Sequence, residues 1–198
     1  PGGAAAFREL ARQMARGSQA VFLEPAIFAD VPDTGIRWLP LVHKGLVTPA
    51  DKVGGYYRAD RWAKKHPIFD GLPGGGMMDY RFYRNIISPL ALSQDYTVFV
   101  GGVLERGTTT QLDRPSEAVC GAIRTSYEYG SGLHIGVWDF GQGRFIVNTL
   151  RIRENLGTDP AAERLLRNML NYAARELDKR VADLPADFAQ QLKAIGYE

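Results

Sequence analysis

The sequence predicts an α/β domain with a mostly parallel sheet, flanking helices and antiparallel hairpins at one edge. Three observations lead there. Residues 4–16 have the spacing of an amphipathic helix and run at once into the apolar stretch "QAVFLEP", which is half of a βαβ unit. Strand-like runs separated by glycines occupy most of residues 96–150. A second amphipathic helix then opens at Asp159-Pro160.

The bulk numbers set the frame. A chain of 198 residues suffices for one full core and is short for two, so residues 1–198 are read as a single domain. Hydrophobic residues make up 45% and charged residues 23%, as in ordinary globular chains. The 24 basic and 22 acidic residues are scattered and give a net charge of +2, which argues against a nucleic-acid partner. No apolar run approaches the roughly 20 residues needed to span a bilayer, which argues against a membrane partner. Cys120 is the sole cysteine, so no intramolecular disulfide forms.

Taken in order, the first helix carries Phe7, Leu10, Ala11 and Met14 at helical spacing and stops at Gly17. The four apolar residues of "QAVFLEP" predict a short strand buried on both faces and ended by Pro25. Residues 26–95 hold six prolines (Pro32, Pro40, Pro49, Pro67, Pro73 and Pro89), which predicts irregular backbone with one short helix in "DYRFYRNII". A strand is expected over Tyr96–Leu104. "AVCGAIRTSYEYG", "LHIGVWDFG" and "RFIVNTL" are expected as three more, joined through Gly130-Ser131-Gly132 and Gly141-Gln142-Gly143 as antiparallel hairpins.

Asp159 then caps a helix with Pro160 at its first position. Ala162, Leu166, Met169, Ala173 and Leu177 form its apolar stripe, and Glu163 pairs with Arg167. Residues 143–177 thus read as an edge strand, a polar loop and a covering helix. "DLPADFAQQLKAIGYE" predicts one last short helix.

Chemistry-bearing residues are sparse. His43, His66 and His134 lack any metal-ligand spacing, and "HPIF" reads as a loop anchor. "GLPGGGMMD" lacks the order of a phosphate loop, so neither metal nor cofactor is expected. Arg151, Arg153, Glu154 and Asn155 either line a cleft at the carboxyl end of the preceding strand or fix the loop before the helix; loop fixing is the default. Tyr56, Tyr57, Trp62, Tyr80 and Tyr83 suit interface packing or stacking on carbohydrate. Glu24 at a strand end, Asp79 and Glu154 are the acids available to a hydrolase.

"HPIFDGLP", "YEYGSG" and "GRFIVNTLRIRENLGTDPAAERLLRNMLNYAAREL" resemble the class I glutamine amidotransferase-like, flavodoxin-like domain at the C-terminal end of some bacterial family-two (β-galactosidase-like) glycoside hydrolases. The resemblance implies helices around a mostly parallel sheet and upstream glycosidase domains as partners. A further strand is expected ahead of Pro1, so the chain is expected to be a fragment of a longer one. Export to the periplasm or medium is implied as well.

The resemblance supplies a test. Amidotransferases of this class carry a nucleophilic Cys on a sharp strand-to-helix elbow, whereas Cys120 stands in an alternating strand-like run and reads as a small buried hydrophobe. A family-two glycosidase needs a (β/α)₈ barrel of about 250 residues, more than this chain holds. The expected function is a non-catalytic accessory domain of a glycoside hydrolase that packs on the catalytic part or supports homo-oligomerisation. The alternatives are a carbohydrate or ester hydrolase using Glu24, Asp79 or Glu154, and a carbohydrate-binding module.

Overall fold

Apolar residues that alternate along two adjacent strands place helices on opposite faces of one sheet. The computed structural model describes residues 3–23, 47–49, 60–88, 90–99, 102–105, 115–125, 128–175 and 182–194. Helix α1 (Gly3–Ala15) leads into strand β1 (Gln19–Phe22), which pairs in parallel with the strand Gly143–Asn148, the ninth and last of the described strands, β9. Successive strand residues point to opposite faces. Ala20, Phe22, Phe145 and Val147 therefore meet Ala11, Met14 and Ala15 of α1, while Val21, Leu23 and Ile146 meet the cluster on the other face. That second face is covered by α3 (Pro160–Ala174), through Ala162, Leu165 and Met169. The expected burial of both faces of β1 is met by these two clusters, although Gln19, Ala20 and Val21 remain half-buried.

The expected mostly parallel sheet is not what the described strands form. The remaining strands are β2 (Val47–Pro49), β3 (Asp60–Ala63), β4 (Gly76–Met77), β5 (Leu90–Phe99), β6 (Gly102–Glu105), β7 (Glu117–Thr125) and β8 (Glu128–Phe140). The main path runs β1-β9-β8-β7-β3-β4, with β5 beside β8 and both β2 and β6 beside β5. Among the described strands β1–β9 is the one parallel pair, and every other pairing is antiparallel.

Three further expectations change. β9 lies inside the sheet rather than at its edge, because β1 pairs on its outer side. The strand expected over Tyr96–Leu104 is two antiparallel strands, with Phe99 opposite Gly102. Gly130-Ser131-Gly132 is no turn, since these residues pair with β7 and Gly132 also pairs with Ser93 of β5. β8 is long enough to hold β5 along its first half and β9 along its second. The Gly141-Gln142 reversal is found as expected, locked by the Gln142 N–H to the carbonyl of Ala15 at 3.0 Å. Gly143 packs against the end of α1, where an added Cβ would lie 2.2 Å from the carbonyl oxygens of both Met14 and Ser18.

Short elements break the proline-rich stretch. A 3-10 turn (Pro67–Phe69) is capped by the His66 ring, which accepts the Ile68 N–H, and helix α2 (Tyr80–Tyr83) is capped by Asp79. Helix α4 (Phe188–Ala194) returns Phe188 and Leu192 to the α1 face. On α3, the Asp159 cap and Pro160 stand as expected, but the buried stripe centres on Leu165 and Asn168, with Leu166 and Ala173 at its margins. Leu177 lies outside the described residues. Glu163 accepts the Gly157 N–H at 2.8 Å instead of pairing with Arg167.

The segment 66–72 is strapped along α3. The His66 ring sits 4.7 Å from that of Tyr172, the Asn168 amide donates to the carbonyls of Ile68 and Asp70 at 3.0 and 2.9 Å, and Gly71 lies under the Arg164 guanidinium. Tyr172, Asn168 and Arg164 are spaced by four and so share one side of the helix.

Two substitutions and a control test this packing. Gly143→Ala should cost about 1–3 kcal/mol in a denaturant melt, as overpacking against fixed backbone does, while Gly76→Ala, which meets nothing within 4 Å, should be silent. Asn168→Asp keeps the shape but faces two carbonyls with a carboxylate, and should cost about 2 kcal/mol or more.

Candidate functional site

Ligands of open α/β sheets gather beyond the carboxyl ends of strands. The loop leaving that end of β9 borders a groove of about 560 Å³, within the range that takes small ligands. Its lining comes from the start of α3, between Gly157 and Arg167, and from Gly71, Leu72 and Phe82.

Asn155 shapes this loop. Its amide donates to the carbonyls of Arg151 at 2.6 Å and Asn85 at 3.2 Å, and its own carbonyl receives the N–H groups of Thr158 and Asp159. Asn85 in turn donates to the Asp159 carboxylate at 3.1 Å, whose other oxygen accepts the Ala161 N–H at 2.8 Å. These bonds stitch the residues after α2 to the start of α3, and Phe82 of α2 joins α3 in lining the groove. The Phe82 ring is 44% exposed and stands edge-on to Tyr83, 4.8 Å between centroids. Tyr83 is fully buried and donates its hydroxyl to the Pro73 carbonyl. Burial pushes the Tyr83 phenol up, helped by the nearby Cys120 thiol and Asp79 carboxylate, so it remains a donor.

Arg164 and Arg167 form the cationic part of the groove, one turn apart. Neither makes an ion pair among the described residues. Gly71 permits the approach of Arg164: its φ is +74°, and a Cβ there would come within 2.4 Å of the guanidinium.

A second polar constellation occupies the opposite end of α3. Glu117, at the start of β7, accepts the Tyr172 hydroxyl at 2.5 Å and His66 Nε2 at 2.8 Å, with Arg144 at 3.5 Å. Arg144 also donates to Asp139 at 2.7 Å. The arrangement has the residue types of an acid–base triad, but His66 Nδ1 already accepts the Ile68 N–H. Both imidazole nitrogens are occupied, so the ring links strand, turn and helix and has no nitrogen left for a substrate proton. Burial alone would push Glu117 up. The hydrogen bonds from Tyr172 and His66, with the electrostatic attraction of His66 and Arg144, outweigh it and hold the carboxyl below its ordinary range.

The residues singled out from sequence fall in several places. Glu24, Tyr56, Tyr57 and His43 lie outside the described residues. Asp79 is exposed and spends its carboxylate on the N–H groups of Arg81 and Phe82. Tyr80 is 64% exposed beside the groove-lining Phe82. Trp62 is half-buried against Gly121 with the Lys64 ammonium 5.8 Å from its ring. Arg151, Arg153 and Glu154 are exposed on the loop and do not line the groove; Asn155 is its organiser. His134 is buried, with Nδ1 at 3.0 Å from the Thr149 hydroxyl. Cys120 is fully buried in mid-strand, and burial pushes its thiol up, only partly offset by a hydrogen bond with the Ile135 backbone. Among the described residues no helix is long and apolar enough to cross a membrane, and no three His, Cys, Asp or Glu residues group as metal ligands.

Sequence reasoning passed over Phe82, Arg164 and Glu117, and named Arg167 only as the partner of Glu163. Arg164, Asn168 and Tyr172, polar positions four apart on an amphipathic helix, were the available signal. No family model matches the chain, and no curated protein matches it either.

The Glu117 cluster sets a pH dependence. A carboxyl depressed in the folded state adds stability that is present above the unfolded value, about 4.3, and is lost as pH falls through the lower folded value. The melting temperature should therefore fall on acidification below about pH 5 more steeply in the native chain than in Glu117→Gln. Equal slopes in the two proteins would refute that role.

Proposed function

We propose that this chain is a non-catalytic accessory domain, flavodoxin-like and of the class I amidotransferase-like kind, serving a bacterial carbohydrate-active glycoside hydrolase. It packs on the catalytic part or supports oligomerisation. The observation that carries the proposal is the placement of Cys120. A thiol acts as a nucleophile only as an exposed thiolate beside a base, with N–H groups ready for the oxyanion. Cys120 has 0% exposure in the middle of β7, and burial holds it protonated. The βα unit formed by β9 and α3, with α1 on the opposite face, supports the flavodoxin-like part.

The alternative of a hydrolase acting through Asp79 fits less well, because that carboxylate already caps α2. A docking role suits the region around α2, where Met77 and Tyr80 are 61% and 64% exposed and Phe82 borders the groove. Such large exposed apolar side chains favour interfaces.

The test is hydrolysis of nitrophenyl glycosides and esters by the purified 198-residue chain from mildly acidic to neutral pH. No turnover is expected, and iodoacetamide should leave Cys120 unmodified until the chain is denatured. Turnover that survives repurification, or rapid alkylation of the folded protein, would overturn the proposal.

A further inference from the structure

The geometry points to the groove at the start of α3 as a binding site for a carboxylate-bearing sugar, a uronic acid in pyranose form. The choice of a sugar rests on the accessory-domain proposal; the choice of an acidic one rests on the groove itself. Arg164 and Arg167 line it a turn apart, with no ion pair among the described residues. A guanidinium matches a carboxylate in two parallel hydrogen bonds, so this pair suits a carboxylate better than a neutral hydroxyl cluster.

The acids in the same lining do not serve the arginines. Asp159 is held by the Ala161 N–H and the Asn85 amide, and Glu163 by the Gly157 N–H. Both carboxylates sit at the helix start, where anions are favoured. Phe82 lines the same groove with an aromatic ring that packs edge-on against the buried Tyr83. Such a ring takes the C–H face of a pyranose, while the arginines take the carboxylate at its rim. A free inorganic anion would use the arginines alone and leave the aromatic ring idle.

Calorimetric titration of the full 198-residue chain with D-glucuronate, D-glucose and inorganic phosphate separates the cases. Glucuronate should bind at least tenfold more tightly than either of the others. Arg167→Gln should weaken it by tenfold or more, and Phe82→Ala should weaken it several-fold with the melting curve preserved. Arg164→Gln serves as a second variant, scored only if its circular dichroism matches the native chain. Absence of glucuronate binding overturns the site. Equal binding of phosphate, unmoved by Phe82→Ala, also overturns it and leaves a simple anion contact. Either result, with no glycoside turnover, leaves the accessory-domain proposal standing. Turnover together with Arg167-dependent glucuronate binding would remove that proposal and keep the site.

Discussion

Two hydrogen bonds from the buried Asn168 amide, to the carbonyls of Ile68 and Asp70, hold the strap to α3, and much of the architecture depends on them. A buried carbonyl without a donor is costly, and a 3-10 turn against a helix leaves several that no strand can satisfy. One amide settles two of them. With those carbonyls answered, Ile68 and Phe69 can turn into the core beside Leu165 and Met169, and Leu72 can close over its margin. The same alignment brings His66 to Tyr172 at one end and Gly71 beneath Arg164 at the other. The polar cluster and the groove are thus two ends of one contact.

The helices were legible because their signals are local. Asp159-Pro160 announces the start of α3 within two residues, and Gly17 the end of α1. Strand direction was legible only in part: the antiparallel run β7-β8-β9 was expected, but a mostly parallel sheet was not found, because pairing is decided by partners far away in the chain. "QAVFLEP" was read as half of a βαβ unit, and its strand Gln19–Phe22 does pair in parallel with β9, yet nothing in it says that the rest of the described strands alternate. Glycine misled twice in opposite senses. At Gly130 and Gly132 it was read as a turn, but strands approach closely there: a Cβ on Gly121 would stand 2.3 Å from the Gly132 carbonyl oxygen. In "VFVGGVL" it was read through as strand, although Phe99 pairs back on Gly102.

The groove was harder to see for a related reason. Phe82 belongs to a short helix in the proline-rich stretch, and Arg167 was read only as the partner of Glu163. They meet only because Asn85 and Asn155 join the two segments. Asn155 was singled out with Arg151 and Arg153, and within that loop it is the Asn155 amide that reaches the carbonyls of Arg151 and Asn85.

The strap also has the character of a measured length. From Tyr172 to Arg164 is two steps of four residues, about 12 Å of helix, and the chain from His66 to Gly71 matches it contact for contact. A helix offers its side chains only at fixed intervals, so the match works like the teeth of a ratchet. One residue inserted between His66 and Gly71 would put either the imidazole or the glycine out of step, and only a whole helical turn could restore the alignment. In this segment the chain has a gauge.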